Sequence, residues 1–527
     1  MTIIPLMIRL APRMGMLDKP GPRKVHTTPI PRVGGIGIIL GALIPILLWA
    51  PLDEAVRAYL VGSLVLLIFG AWDDSRNLGP YLKFFGQIIA AAAVVYYGDI
   101  YIASLPFMDL DPLSTVIAKP FTVFAIVGMI NALNVSDGLD GLAGGLSILS
   151  LSCIAYLAFL ADGFVVISII VATIGGVLGF LRYNTFPARV FMGDGGSQFL
   201  GFTLGFLAVL LTQKVNPTLS PSLALLFLGL PIFDMLAVIA QRLYYRINPF
   251  MATQHHIHHR LLELGFDHYE SVVAIYLIQV LFIACAVLFR YESDWLILSL
   301  YTGLCALLYM LIFTSIRKGW RAHQPYAVSG LTRAIQAVQQ HKLFIMIPAR
   351  FVSIAIPLLF ISVSIWADKV PRDFSVIAAA LSLTLLFFLL GGGARNSIVL
   401  QAIIYVTAAF VAYLETKYTN IQSISLETLD LAYFITLAIA VGLAVRYSKQ
   451  VQFRTTPTDY LVVFVVLFVG ILLHNLPEKA QVGIMAAKLI VLFYGCEFII
   501  SRSRSRWHAL NFSTFVSLTV LALRGFV

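Results

Sequence analysis

Charged residues are scarce in this 527-residue chain: 12% are Asp, Glu, Lys or Arg, whereas 59% are hydrophobic. The mean hydropathy of +0.90 corresponds to more apolar surface than the core of a soluble protein could bury. Cysteine is also sparse, and Cys153, Cys285, Cys305 and Cys496 all lie in apolar segments. We expect them to be small packing residues rather than halves of disulfides. These shortages exclude an ordinary soluble domain and indicate a protein whose solvent is the lipid bilayer.

Apolar segments able to cross about 30 Å of hydrocarbon recur along the chain. We expect helices, because open strand edges leave backbone groups unsatisfied in lipid. The sequence therefore predicts an all-α polytopic membrane protein with about ten transmembrane helices before residue 320 and about seven after residue 348. The first ten residues are too few to span, so the first helix lies in the interface or the natural start lies upstream. The predicted spans are 33–50, 58–72, 82–98, 120–134, 142–160, 164–182, 198–212, 221–240, 271–290, 295–315, 348–366, 374–392, 398–414, 430–446, 459–473, 482–500 and 509–525.

The net charge of +10 first suggests a nucleic-acid partner, but the basic residues lie in short loops and form no basic domain. We therefore expect no nucleic acid. The positive-inside bias instead places the loops that carry these residues in the cytoplasm. The residues concerned are Arg23, Lys24, Arg32, Arg317, Lys318, Arg321, Arg395, Arg446, Lys449, Arg454, Arg502, Arg504 and Arg506.

Polar content changes along the chain. Loops before about residue 316 are rich in Asp, Asn, His and Gly, whereas later loops carry only isolated charges such as Glu415. We predict a membrane core at 1–320, a cytoplasmic linker at 321–347 and an accessory transmembrane bundle of unknown role at 348–527. The odd number of spans in that bundle would leave its end on the external side.

Asp73 and Asp74 directly follow the predicted span 58–72. Two adjacent carboxylates repel each other unless a cation lies nearby. The pair therefore indicates a metal-binding or general-base role, and the competing interpretation is an ordinary solvated helix end.

A second polar segment ends the predicted span 120–134. Such polar density beside an apolar span is costly, and its glycines allow a ligand to approach the backbone. Oxygen ligands suit a hard cation such as Mg²⁺, while a calcium-like turn or a helix cap is the alternative. The polar side chains are Asn131, Asn134, Asp137 and Asp140.

Two further loops carry polar residues. Asn184 and the run from Gly193 to Ser197 lie between predicted spans, and a Gly-rich turn that opens a helix predicts a phosphate cradle, with a plain tight turn as the alternative. The loop 241–270 contains His255, His256, His258, His259 and Arg260, which could donate to phosphate. A zinc site there would need Cys or carboxylate partners at suitable spacing, and none lies nearby.

Counting spans alternately places all four polar segments on one side, which the basic loops independently mark as cytoplasmic. Several carboxylates, a Gly-rich turn and a basic His loop on one face indicate a magnesium-dependent site. Its ligands would be a phosphorylated nucleotide and a membrane-held acceptor.

These motifs resemble, in order, those of the polyprenyl-phosphate N-acetylhexosamine-1-phosphate transferases, the MraY/WecA/TagO superfamily. The resemblance covers about residues 10–320 and is closest to the WecA/TagO branch, because residues 256–259 read His-Ile-His-His. Gln254 and His255 depart from the family pattern, and residues after about 340 have no counterpart in it. The matching segments are Arg23 to His26, Pro31 to Gly35, Asp73-Asp74, Asn131 to Gly141, Asn184, Gly193-Asp194, Pro231 to Asp234, Asn248 to Phe250 and His256 to His259.

The resemblance implies a role for each site residue. Asp73, Asp74 and Asp194 would bind Mg²⁺, with Mn²⁺ as a possible substitute, and Asp73 or Asp74 would also activate the acceptor. Lys83 would bind the lipid phosphate. The expected nucleotide-sugar contacts are Asn131, Asn134, Asp137, Asp140, Asn184, His256, His258, His259 and Arg260.

The resemblance further implies transfer of an N-acetylhexosamine 1-phosphate from a UDP-N-acetylhexosamine to undecaprenyl phosphate, with release of UMP. The enzyme would lie in the bacterial inner (plasma) membrane and begin the membrane steps of a cell-envelope polysaccharide, such as O-antigen, teichoic acid or capsule. GlcNAc is the default sugar, and a 6-deoxy N-acetyl sugar is the alternative. A covalent aspartyl-phosphate route and a homodimer both stay open.

Two other functions compete with this one. A phospho-MurNAc-pentapeptide transferase would use related motifs. A polytopic transporter would place its polar residues at mid-membrane, whereas here they cluster at span ends on one face.

Overall fold

The computed structural model describes residues 3–20, 28–104, 112–246, 248, 256–322, 342–390, 398–418, 424–446, 477–502 and 507–525. Within these ranges the chain forms nineteen α-helices and one two-stranded β-ribbon, which confirms the predicted all-α fold. The described residues fall into two compact units, one ending at residue 322 and the other beginning at residue 342.

Thirteen of the described α-helices belong to the first unit. Its β-ribbon, β1 (Leu17–Asp18) with β2 (Ile30–Pro31), is antiparallel. The helices are α1 (Ile3–Met14), α2 (Gly34–Trp49), α3 (Glu54–Arg76), α4 (Pro80–Ala92), α5 (Thr115–Val135), α6 (Leu142–Leu160), α7 (Phe164–Asn184), α8 (Gly193–Leu210), α9 (Leu223–Phe227), α10 (Gly229–Tyr244), α11 (Ile257–Glu263), α12 (His268–Leu288) and α13 (Asp294–Arg317).

The ten predicted spans of this unit all coincide with helices. Seven helices are long and apolar enough to cross a membrane, namely α3, α5, α6, α7, α8, α12 and α13. The predicted span 221–240 is divided between α9 and α10, and α4 continues as a π-helical turn, Ala93–Tyr97. With its twelve residues, α1 is about 18 Å long and too short to span. The protein is therefore a multi-pass membrane protein.

Helix α8 is the centre of the first unit. Its apolar window, extended to Val215, is 100% buried, whereas that of α13 is 17% buried. Glycines allow α2 and α3 to pack against its first turn, because a Cβ on Gly35 would lie 2.3 Å from Gly196 N and one on Gly70 would lie 2.2 Å from Gly195 Cα. Any larger side chain at these positions would separate the helices.

The chain reverses direction sharply between α3 and α4. Asn77 adopts the left-handed conformation with φ 49° and caps α3, and Pro80 occupies the first turn of α4, where its missing N–H costs no hydrogen bond. This turn directs α4 back along α3. The two helices therefore lie side by side at the end that carries Asp73 and Asp74.

Six described helices form the second unit, and α14, α15 and α16 are long and apolar enough to span. The predicted span 459–473 and the basic residues Arg395, Lys449, Arg454, Arg504 and Arg506 lie outside the described residues. The six are α14 (Lys342–Trp366), α15 (Arg372–Leu390), α16 (Ile398–Tyr418), α17 (Ile424–Arg446), α18 (Pro477–Arg502) and α19 (Trp507–Arg524).

A buried charge cluster joins three helices of the second unit. The Lys488 ammonium on α18 donates to both carboxylate oxygens of Glu415 on α16, each at 2.6 Å, and to Asp430 Oδ2 on α17 at 2.6 Å. Glu415 and Lys488 are 6% and 7% exposed. The expectation that this region carries only isolated charges is therefore wrong, because residues far apart in sequence converge when the helices pack.

Candidate active site

The four polar segments identified in the sequence meet at one end of the first unit. The end of α3 contacts the start of α8, the loop after α5 contacts the end of α7, and the same loop touches α11. A Cβ on Gly138 would lie 2.2 Å from His258 Nε2. The loop after α5 is therefore in direct contact with α11, the His helix. The other two contacts are hydrogen bonds, from Asp194 N to Asp74 Oδ1 and from Gly141 N to Asn184 Oδ1.

Lys83 lies between two carboxylates. Its Nζ is 2.7 Å from Asp73 Oδ2 and 2.5 Å from Asp194 Oδ2. Asp73 is 3% exposed, whereas the side chains of Lys83 and Asp194 are 29% and 35% exposed. Lys83 was predicted to bind the lipid phosphate, and the structure places its ammonium directly at two of the three predicted metal ligands, Asp73 and Asp194.

Asp74 has different contacts from its neighbour. Its Oδ1 accepts from the backbone N–H of Asp194 at 2.9 Å, and its Oδ2 accepts from that of Gly195 at 3.3 Å. A carboxylate at the start of a helix is stabilised by the free N–H groups and the helix dipole. These N–H groups are already bonded to Asp74, so the Gly-rich turn does not offer them as a phosphate cradle. Asp74 instead fixes the position of Asp194.

Two asparagines connect α5 to neighbouring helices. Asn131 Nδ2 donates to Gln87 Oε1 on α4 at 2.7 Å, and Asn134 Oδ1 accepts from Ser197 Oγ on α8 at 2.9 Å. Both asparagine side chains are partly exposed. They line the end of α5 beside the carboxylates, and their predicted contact with the nucleotide sugar stays a prediction.

Asn184 and Asp140 brace the loops around the site. The Asn184 amide, 4% exposed, accepts from Gly141 N at 2.8 Å and donates to Val190 O at 2.9 Å. Asp140 Oδ2 accepts from Ala188 N at 2.9 Å. Both side chains therefore hold the loop after α5 against the loop before α8. Their observed contacts are within the protein, and a direct ligand contact is not needed to explain them.

Asp137 is poorly stabilised as an anion. Its side chain keeps a partly exposed edge, yet burial among protein atoms, followed by the nearby carboxylates of Asp194 and Asp140, raises its pKa to about 7. A carboxyl group in this state gains from a nearby cation. Asp137 is thus a further acidic group near Asp194 and Asp140.

The His loop is held in place by Asp234. Its Oδ2 lies 3.0 Å from His256 Nδ1, and its Oδ1 accepts from Ile257 N at 2.9 Å. Asp234 is 5% exposed and lies on α10. One carboxylate therefore fixes both the ring of His256 and the first turn of α11.

His258 and His259 lie on the part of the His loop that contacts the loop after α5, where Gly138 adjoins His258. Their ring centroids are 4.2 Å apart, and His258 is 4% exposed. Burial, followed by the neighbouring His259, lowers the pKa of His258 to about 3. His258 is therefore neutral at physiological pH and offers a hydrogen bond rather than a charge. Arg260 donates to Gln241 Oε1 at 3.5 Å and is a permanent cation of this loop.

The model of glycosyl transferase family 4 matches residues 56–212. A Bacillus subtilis (strain 168) protein named "Probable undecaprenyl-phosphate N-acetylglucosaminyl 1-phosphate transferase" is 36% identical over 318 residues, which are 60% of this chain and 88% of that protein. The chain belongs to glycosyl transferase family 4. A Yersinia pestis undecaprenyl-phosphate alpha-N-acetylglucosaminyl 1-phosphate transferase is 31% identical, and the match covers 59% of this chain and 87% of that protein. A Haemophilus influenzae protein of the same name is 32% identical, and the match covers 59% of this chain and 89% of that protein.

The residues of this family 4 member fit a Mg²⁺ ion. Asp73 Oδ2 is buried and receives no hydrogen bond, although the Lys83 ammonium is close, so it is an acceptor with unused capacity. Among the described residues, no three His, Cys, Asp or Glu side chains form a complete metal site. Mg²⁺ commonly binds through one or two carboxylates, substrate phosphates and water. Asp73 and Asp194 would therefore be the protein ligands for it.

Some site residues of this family 4 chain could be assigned no role from its sequence. Asp234 was matched only as the end of the family-like segment Pro231 to Asp234, although a lone carboxylate inside a predicted apolar span is costly. Gln87, which pairs with Asn131, and Tyr276, whose hydroxyl donates to Gly141 O at 2.7 Å, look like ordinary helix residues in sequence. The Arg23 to His26 motif and His255 lie outside the described residues.

Proposed function

We propose that the protein transfers an N-acetylhexosamine 1-phosphate, with GlcNAc 1-phosphate as the first choice, from a UDP-sugar to undecaprenyl phosphate and releases UMP. Mg²⁺ would be the cofactor. The reaction would begin the membrane steps of a cell-envelope polysaccharide at the cytoplasmic face of the bacterial inner membrane. The names of the similar proteins support the acceptor and the transferred group.

The observation that carries the proposal is the carboxylate pair that shares Lys83. Asp73 and Asp194 come from different helices and approach one ammonium to 2.7 and 2.5 Å, at an end of the helices where acceptor and nucleotide can both arrive. A pair of carboxylates around one cation position is what a cation bound to a pyrophosphate requires. A transporter would place such a group at mid-membrane.

We favour direct transfer over a covalent aspartyl-phosphate route. An oxygen of the acceptor phosphate would attack the β-phosphorus of the donor, and the bond from that phosphorus to the bridging oxygen would break as UMP leaves. A phosphate monoester has a second pKa near 6, so the acceptor is already largely deprotonated at neutral pH. Asp73 therefore acts mainly by position. Mg²⁺, held by Asp73 and Asp194, would neutralise charge on the pyrophosphate.

The remaining site residues would position the donor. Arg260 offers charge to the pyrophosphate and His258 offers a neutral hydrogen bond, while Asn131 and Asn134 line the path toward α4 and α8. In such phosphoryl transfers most of the rate enhancement comes from placement and charge neutralisation. Catalysis would thus depend on the four polar segments being held at fixed positions around α8.

The basic loops support a cytoplasmic site. Ala322 N donates to Leu264 O at 2.9 Å, and the rings of Trp320 and Phe266 lie 5.9 Å apart. The segment that follows α13, with its Arg and Lys residues, therefore lies against the end of the His helix. By the positive-inside bias, that end of the unit would face the cytoplasm.

The test is release of UMP by the purified full-length protein in lipid nanodiscs. We expect release from UDP-GlcNAc only when both undecaprenyl phosphate and Mg²⁺ are present, and none from an Asp194→Asn control. Higher rates with a UDP-6-deoxy-N-acetyl sugar or with UDP-MurNAc-pentapeptide would reassign the donor. Uptake of a solute into vesicles without UMP release would contradict the proposal and favour a transporter.

A further inference from the structure

Lys83 contacts the two oxygen atoms that a divalent cation would need. Its ammonium approaches Asp73 Oδ2 and Asp194 Oδ2 to 2.7 and 2.5 Å. Its side chain is 29% exposed, so the head group has room to move toward the opening of the site. Lys83 lies one turn into α4, whose position beside α3 is fixed by the turn at Asn77.

The two positive charges could not both keep close contact with these oxygens at low cost. Mg²⁺ binds oxygen at about 2.1 Å. A cation on Asp73 Oδ2 would therefore lie within about 4.8 Å of the Lys83 nitrogen if the lysine kept its 2.7 Å contact. Like charges at this distance repel strongly in a partly buried site. One of the two cations must then weaken the binding of the other.

We propose that Lys83 competes with the divalent cation for Asp73 and Asp194, and that it yields by moving to the phosphate of the acceptor. The second half of this proposal rests on the proposed function, since that phosphate is taken to be undecaprenyl phosphate. Binding of acceptor and cation is then coupled, and the coupling is reciprocal. The cation is held firmly only when an acceptor phosphate has drawn Lys83 away.

The competition is tested by Mn²⁺ binding, measured by electron paramagnetic resonance on the full-length protein in nanodiscs without donor or acceptor. We expect Lys83→Met to tighten Mn²⁺ binding by about tenfold or more, because it removes a positive charge within about 5 Å. Lys119→Met is the matched control, since Lys119 pairs with Asp99 at 2.9 Å at the opposite end of α4 and should leave the affinity unchanged. Equal, weaker or undetectable Mn²⁺ binding by a well-inserted Lys83→Met protein would overturn the competition.

The coupling is tested by adding undecaprenyl phosphate to the same samples. Acceptor should tighten Mn²⁺ binding in the unmodified protein by several-fold and should have less effect in Lys83→Met. An unchanged affinity in the unmodified protein would overturn the coupling. Lys83→Gln is a second variant that keeps a polar group, in case the methionine protein inserts poorly. Tight Mn²⁺ binding by either variant together with absent UMP release by the unmodified protein would remove the transferase function but leave the competition in place.

Discussion

Asp73 and Asp74 are neighbours in the chain, but they have separate tasks in the structure. Both oxygens of Asp74 accept backbone N–H groups at the start of α8. Asp73 accepts one backbone N–H, from Leu78 at 2.6 Å, and its other oxygen shares an ammonium with Asp194. Adjacent helical residues point about 100° apart, which follows from 3.6 residues per turn. One carboxylate therefore faces the central helix, and the other faces the site.

Asp194→Asn is expected to reduce turnover by at least about two orders of magnitude, because it removes a charge that the bound cation requires. The fold should be intact, since the backbone N–H that Asp74 accepts is unaffected. UMP release and thermal unfolding are measured on the same preparation. Turnover near that of the unmodified protein would refute the assignment of Asp194 as a metal ligand, and added Mg²⁺ at ordinary concentrations should not restore activity.

The two neighbouring carboxylates should differ when each is changed to Asn. Asp73→Asn should abolish turnover with little effect on stability. Asp74→Asn should also lose activity, and it should lower the free energy of unfolding by about 1–3 kcal/mol, because an amide cannot accept both N–H groups. Denaturation midpoints and UMP release distinguish the two. A destabilised Asp73→Asn protein beside a fully stable Asp74→Asn protein would reverse their roles.

At the scale of elements, the His helix depends on a carboxylate from another helix. Asp234→Ala should release the first turn of α11 and raise the KM for UDP-sugar more than it lowers kcat, since Asp234 itself lies behind the histidines. Asp234→Asn should recover part of the affinity, because its amide oxygen can still accept from Ile257 N. Equal losses of kcat in both variants with an unchanged KM would contradict a positioning role.

The His loop gives a test of metal identity. Its imidazole rings contact Asp234 and one another, so we expect no zinc in this loop. A zinc-selective chelator should leave UMP release unchanged, while EDTA should abolish it and excess Mg²⁺ should restore it. Loss of activity that only zinc restores would show that the His loop is a zinc site.

Helices were the part of the fold that could be predicted, because every long apolar run in a bilayer must satisfy its own backbone. The meeting of four polar loops also followed from counting spans. The contact of Lys83 with Asp194 could not be derived in this way, since it depends on the turn at Asn77 and on glycine packing around α8. The hydrogen bonds from the Gly-rich turn to Asp74 could not be derived from sequence either, because a helix start offers the same N–H groups to a phosphate or to a carboxylate.

At the scale of the whole molecule, the two units allow a direct test of their independence. A protein ending near Gln340 should insert and release UMP at a rate close to that of the full chain, because every proposed site residue precedes that point. Similar proteins match only about 60% of this chain, which agrees with a core that works alone. A truncated protein that inserts normally but releases no UMP would show that the second unit belongs to the catalytic unit.

The Lys488 cluster also bears on how the second unit is made. Glu415 and Asp430 leave the ribosome before Lys488, so α16 and α17 reach the bilayer before the cation that neutralises them. Glu415 lies in the last turn of α16 and Asp430 in the second turn of α17, so neither carries the full cost of about 2.5–3.5 kcal/mol that a charge has at the centre of a membrane helix. Until α18 is synthesised, both carboxylates are therefore expected to stay near the membrane surface, in contact with water. The final packing of α16 against α17 then follows the arrival of one lysine late in translation.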